Sequence, residues 1–140
     1  MNLAIAFSDC AQKHAQKTAI FYGEREISYA ELFGQSQKIA AYLQNHFGVK
    51  PGDRVGIWLK NCPEFAVSVF GILQTGAVVV PINNFLKPAE VNYILNDGGI
   101  DMVITDAELS VHEKESIVSR SSLKFLHVEE FASLQISNLK

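Results

Sequence analysis

The chain has 140 residues, 48% hydrophobic and 19% charged, the balance of a single globular domain with enough length to bury a core. Its formal net charge of −3 and its lack of any Lys/Arg-rich block give no electrostatic reason to expect nucleic acid as a partner. Its two cysteines, Cys10 and Cys62, stand far apart in no C-x-x-C arrangement, so neither a disulfide framework nor a zinc site is suggested.

The chain opens with MNLAIAFSDC, which has no positively charged n-region and an apolar run only from Leu3 to Phe7, so no secretion or lipidation signal is expected. Leu3, Ala4, Phe7, Ala11 and Ala15 recur at helical spacing, which predicts an amphipathic helix over residues 2–16. Residues 18–22 and 25–28 read as two strands joined by the turn Gly23-Glu24, a small hairpin. Ser28-Tyr29-Ala30-Glu31 has the spacing of a capping box, and the helix it starts carries Leu32, Ile39, Ala40, Leu43 and Phe47 on one face before Gly48 closes it.

Residues 49–83 then form the unit around which the other elements are arranged. Pro51-Gly52-Asp53 suits a tight turn, and residues 54–59 read as a strand with Val55, Ile57 and Leu59 on one face and Trp58 on the other. Asn61 is the expected N-cap of the next helix, with Pro63 in its first turn and Glu64 near the positive end of its dipole. From Phe65 to Leu73 that helix is apolar nearly all round, the pattern of a buried helix. Gly76 supplies its stop, Ala77 to Val80 is a continuous run of the kind found in central parallel strands, and Pro81 ends the strand. Strand, helix and strand in this order make a βαβ unit.

Pro88 and Glu90 open a further helix with Val91, Ile94 and Leu95 on one face, ending at residues 96–99. A short strand at residues 102–104, a charged helix over residues 107–120 and a last strand at residues 124–128 complete the pattern. The expected fold class is α/β, a mainly parallel sheet flanked by helices with an N-terminal hairpin, in one segment over residues 1–140. The longest apolar stretch, residues 65–82, is interrupted by Ser68, Gln74, Thr75 and two glycines, so no membrane span is expected and the cytoplasm is the default location.

A self-sufficient active site is hard to find in these residues. Gly71 and Gly76 have the spacing of a phosphate loop, but Ala77-Val78 stands where Lys-Ser/Thr should follow, and a strand comes next where a helix is required. Neither G-x-G-x-x-G nor G-x-S-x-G occurs. His14, His46, His112 and His127 include no pair at i, i+4, so no metal site is expected. Asp101 and Asp106 flank a strand, where they read either as functional groups or as turn and cap residues. Asn83-Asn84, at the C-terminal edge of a strand, is the best-placed candidate in the chain.

Several runs taken together resemble a known family. They are ISYAEL at residues 27–32, GVKPGDRVGIWLKNCPEF at 48–65, GILQTGAVVVPIN at 71–83, LKPAEVNYIL at 86–95 and MVITD at 102–106. In this order they look like the opening of the AMP-forming acyl-CoA synthetases, the adenylate-forming superfamily that includes peptide-synthetase adenylation domains and beetle luciferases. The resemblance covers roughly residues 1–110. It implies a larger N-terminal domain of the adenylate-forming fold, with the rest of a ligase chain as partner.

The implied chemistry has two steps. A carboxylic or fatty acid attacks the α-phosphate of ATP in the presence of Mg²⁺, and coenzyme A then captures the acyl-adenylate as a thioester. The family's catalytic motifs have no counterpart here: Ser119-Arg120-Ser121-Ser122 lacks the glycines of the phosphate loop, and Asn83-Asn84-Phe85 replaces the usual Asn-Pro corner. No catalytic, cofactor-binding or metal residue is therefore carried over, and the 140 residues alone are expected to be inactive. The alternative is a standalone binding or assembly module that keeps the scaffold without the chemistry. Because residues 63–74 are so apolar, an exposed patch on that helix, and a homodimer through it, is also expected.

Overall fold

The structure, a computed structural model, describes residues 2–110 and 122–134. Helix α1 (Leu3–Lys13) starts at Asn2, whose Oδ1 accepts the amides of Ala4 and Ile5 at 2.9 and 3.3 Å. Such a cap contributes about 1 kcal/mol. Strands β1 (Thr18–Tyr22) and β2 (Arg25–Ser28) pair antiparallel around Gly23, whose φ of 61° suits glycine. Helix α2 (Tyr29–Asn45) is capped as predicted by Ser28 Oγ, which accepts the Glu31 amide at 3.1 Å. The return bond differs from the predicted box, since the Glu31 carboxylate takes the Ser28 hydroxyl at 3.3 Å.

The central unit consists of β3 (Arg54–Trp58), α3 (Pro63–Gln74) and β4 (Val78–Pro81). Then come α4 (Pro88–Asp97), β5 (Met102–Thr105), the short α5 (Ala107–Ser110), β6 (Lys124–His127) and a 3₁₀ turn (Val128–Ser133). The helix predicted over residues 107–120 is described only as far as Ser110; the rest lies outside the described residues. The last strand stops one residue before its predicted end. The Glu130 carboxylate accepts the His127 amide at 3.2 Å and turns the chain into the 3₁₀ helix.

β3 to β6 form one parallel sheet in the order β4-β3-β5-β6, and the hairpin is a separate two-stranded sheet. Alternation along β3 sends Val55, Ile57 and Leu59 into one core with Met102, Ile104 and Leu126, beneath α1, α2 and α3. Trp58 goes the other way, into a second core with Val103, Ile82 and the α4 residues Val91 and Leu95.

Three expectations are corrected. β4 is an edge strand, and Val78 is 48% exposed. A continuous β-branched run reports covered faces, whereas strand order depends on where the next crossover lands. The edge protects itself: the amides of Val78 and Ile82 bond back to β3, so by alternation Pro81 points outward and has no N–H to offer another strand. Second, Cys62 occupies the N-cap of α3 in place of Asn61, which is exposed.

The third correction concerns the apolar helix. No residue of α3 is fully exposed, because α1 and α2 cover the side that the sheet does not; Phe65, Ala66, Val69, Phe70 and Leu73 are partly buried, so the large patch predicted there is not seen and nothing supports a dimer through it. Phe70 stacks on Phe7 of α1 at 3.9 Å, and a Cβ on Gly71 would lie 2.8 Å from Ile39 of α2. Ser36 Oγ accepts Gln74 Nε2 at 2.7 Å across the same helix pair. The exposed large apolar residues are instead Leu3 and Ile5 on α1, Phe21 and Tyr22 on the hairpin, Val78, Phe85 and Tyr93.

Candidate functional site

Four parallel strands deliver their outgoing loops to one edge of the sheet. The chain leaves β3 through α3 on one face and returns to β5 through α4 on the other, so β3 and β5 are neighbours whose connections diverge. The crevice at the C-terminal ends of such a pair is where open α/β sheets place ligands. It is bordered here by Lys60 and Cys62 after β3, Asn83 and Asn84 after β4, Asp106 after β5 and Glu129 and Glu130 after β6.

Most of these groups are engaged in holding the edge together. Asn83 Oδ1 accepts the Phe85 amide at 2.8 Å, a side-chain-closed turn, so this best-placed candidate shapes its own loop. Asp106 is buried and caps α5 by accepting the Leu109 amide at 2.8 Å, the cap reading of the two open for it. Asp101 lies exposed at the opposite end of β5, so the strand separates the two aspartates and does not bring them together. Both carboxylate oxygens of Glu129 take the Ala107 amide at 3.1 Å, and Lys60 reaches Glu108 at 3.7 Å. These last two ties were missed from the sequence because each spans separate elements and carries no local spacing signal.

Cys62 stands at a helix N-terminus, a position that often activates a thiol. Burial raises its pKa, and the charges of Glu64 and Asp106 push the same way; the amides of Phe65 and Glu64 oppose them without prevailing. The sulfur is therefore kept as a neutral thiol, a poor nucleophile. At the end of β5, the Thr105 hydroxyl is fully buried and has no hydrogen-bond partner. An orphaned hydroxyl of that kind costs about 1–3 kcal/mol.

The remaining candidates are scattered. His14 caps α1, His46 stacks on Tyr42 at 4.7 Å, and His127 pairs with Glu130 at 3.8 Å, while His112 lies outside the described residues. Among the described residues no group of three His, Cys, Asp or Glu side chains is placed to hold a metal ion. Gly71 is interior to α3 and packed on Ile39, and Gly76 is the helix stop with φ of 81°. Two glycines so placed present no cradle of amides for a phosphate. A cavity of about 460 Å³ opens at the other end of the sheet, but its cations are spent on carbonyls: Arg54 on Gly98 at 2.6 Å and Lys124 on Phe47 at 3.4 Å. Among the described residues no helix is long and apolar enough to cross a membrane.

Among the described residues the rim thus presents no activated nucleophile, and comparison with known proteins gives it a context. The model of the family described as AMP-binding enzyme matches residues 7–137. A long-chain-fatty-acid–CoA ligase of Salmonella typhimurium is 32% identical over 123 residues, 88% of this chain and 22% of that protein. A crotonobetaine/carnitine–CoA ligase of Salmonella paratyphi A is 35% identical over 112 residues, 76% of this chain and 22% of that one. Among solved structures, the o-succinylbenzoate coenzyme A synthetase of Bacillus subtilis in complex with AMP superposes with a TM-score of 0.81 at 26% identity, over 92% of this chain and 32% of that one. The chain spans about a fifth of the length of the two curated relatives, 22% in each case. With a family model matching nearly its whole length, the chain belongs to the AMP-binding enzyme family, the adenylate-forming ligases of the acyl-CoA synthetase superfamily.

Proposed function

We propose that these 140 residues are the N-terminal subdomain of an AMP-forming acid–thiol ligase, inactive alone. The complete enzyme activates a carboxylic acid with ATP and Mg²⁺ and passes the acyl group to coenzyme A, in the cytoplasm. The observation that carries this reading is the passivity of the rim. Its amides and carboxylates are committed to one another, and its one thiol is held neutral. In-line phosphoryl chemistry needs pre-placed positive charge and oriented donors around the phosphates; among the described residues of this edge Lys60 is the cation, and it is paired with Glu108. The rest of the ligase chain is the partner that supplies them. A carboxylic acid is the substrate class, since the similar ligases named above act on chemically different acids.

ATP–pyrophosphate exchange on the purified 140-residue chain tests this. No exchange with any acid is expected, and turnover would overturn the reading. The intact mass of the natural protein in its source cells is the companion measurement. A chain of several times this length is expected, and a mass near 15.5 kDa would exclude catalysis by this polypeptide.

A further inference from the structure

A cavity of about 220 Å³ lies between the hairpin, α2, α3 and the 3₁₀ turn, and we infer that it binds a small monocarboxylate with a compact apolar body. Its rim is Arg25 from β2, Gln35 and Lys38 from α2 and Glu64 from α3, and its floor is Ile39 and Val67, each 1% exposed. Two cations face one carboxylate, so the rim carries one positive charge in excess. The single ion pair is loose: Arg25 Nη1 stands 3.6 Å from Glu64 Oε1, which leaves most of the guanidinium donors unused. Lys38 is half-buried and, like Gln35, has no hydrogen-bond or ion-pair partner among the described residues.

That combination selects a ligand class. A carboxylate would pair with Lys38, share the spare N–H groups of Arg25 and accept from the Gln35 amide, which are charge-assisted bonds at a partly shielded site. The buried floor rewards an apolar body behind the carboxylate. Inorganic phosphate is disfavoured on both counts, since its second charge would face Glu64 and it has nothing to set against Ile39 and Val67. The site borders the C-terminal rim, with Glu64 two residues from Cys62 and the 3₁₀ turn carrying Glu129 and Glu130, but it does not rest on the ligase reading, so each can fail without the other.

The test is a titration of the ¹⁵N-labelled 140-residue chain with sodium benzoate, followed by amide chemical shifts, with benzyl alcohol and inorganic phosphate as comparison ligands. Saturable shifts centred on Gln35, Ile39 and Val67 are expected for benzoate, with a Kd on the order of 1 mM, and at least about tenfold weaker binding for the other two. Lys38→Gln should weaken benzoate about tenfold and Lys38→Arg should retain it. If Lys38→Gln does not fold, Arg25→Gln, at a half-exposed side chain, takes its place with the same expectation. Shifts that do not saturate, equal affinity for benzyl alcohol or phosphate, or unchanged binding in the neutral variant would each overturn the proposal.

Discussion

The two faces of the parallel sheet are closed in different ways. One face is covered by α3, which is itself covered by α1 and α2, so even a helix apolar on nearly every side has no exposed residue. Among the described residues the other face is covered mainly by α4, with Leu109 of α5 beside it; the inner residues Val91 and Leu95 are fully buried while Tyr93 is 69% exposed and nearby Phe85 89%. Apolar composition was therefore a poor guide to exposure. What decides it is whether a second layer of helices lies behind the first.

Substitutions sharpen this contrast. The largest effect is expected for Trp58→Ala, which empties the core under α4, where the described residues supply no second helical layer to collapse into the gap; a loss of about 3–5 kcal/mol should be read from denaturant unfolding. Gly71→Ala tests the doubly covered face. Its new Cβ meets Ile39 Cγ2 at 2.8 Å and should cost about 1–3 kcal/mol, with a smaller cost in an Ile39→Ala background, which lacks that methyl. An additive double variant would mean that α2 and α3 do not meet there as described.

Thr105→Val should go the other way and stabilise by about 1 kcal/mol, because it removes a buried hydroxyl that has no partner while keeping its shape. Destabilisation would mean that the hydroxyl is satisfied in solution. Cys62 supplies a pH test. Its folded pKa lies above the ordinary 9.0, so the unfolded chain loses this proton first. Its contribution to stability is fully present below pH 9.0 and declines as pH rises toward and through the folded value. Cys62→Ser should flatten that alkaline decline, measured as unfolding free energy against pH. The smallest effect is expected at Phe85→Ser and Tyr93→Ser, each within about 0.5 kcal/mol, since both residues are largely exposed.

Much of the fold was legible from local chemistry. Ser28 before Glu31, Pro63 in a first turn, Gly76 after an apolar run and the alternation that separates Trp58 from Val55 and Ile57 each act within a few residues, where sequence spacing is also spatial spacing. The candidate site was less legible. Asn83 and Asp106 were correctly placed at strand ends, but whether a polar side chain there is free or committed depends on partners such as the amides of Phe85 and Leu109. Glu129 on Ala107 joins residues 22 positions apart, beyond the reach of any helical or strand period.

By itself, then, the sequence determined the element types, their order and the family resemblance, because capping, turn chemistry and hydrophobic period are properties of short stretches of chain. Only the tertiary structure decided that β4 is an edge, that α3 is sealed by α1 and α2, and that Cys62 replaces Asn61 at the helix cap. Those outcomes depend on which crossover returns to which side of β3 and on what packs behind each helix. Both are settled by long-range burial, which no local stretch encodes.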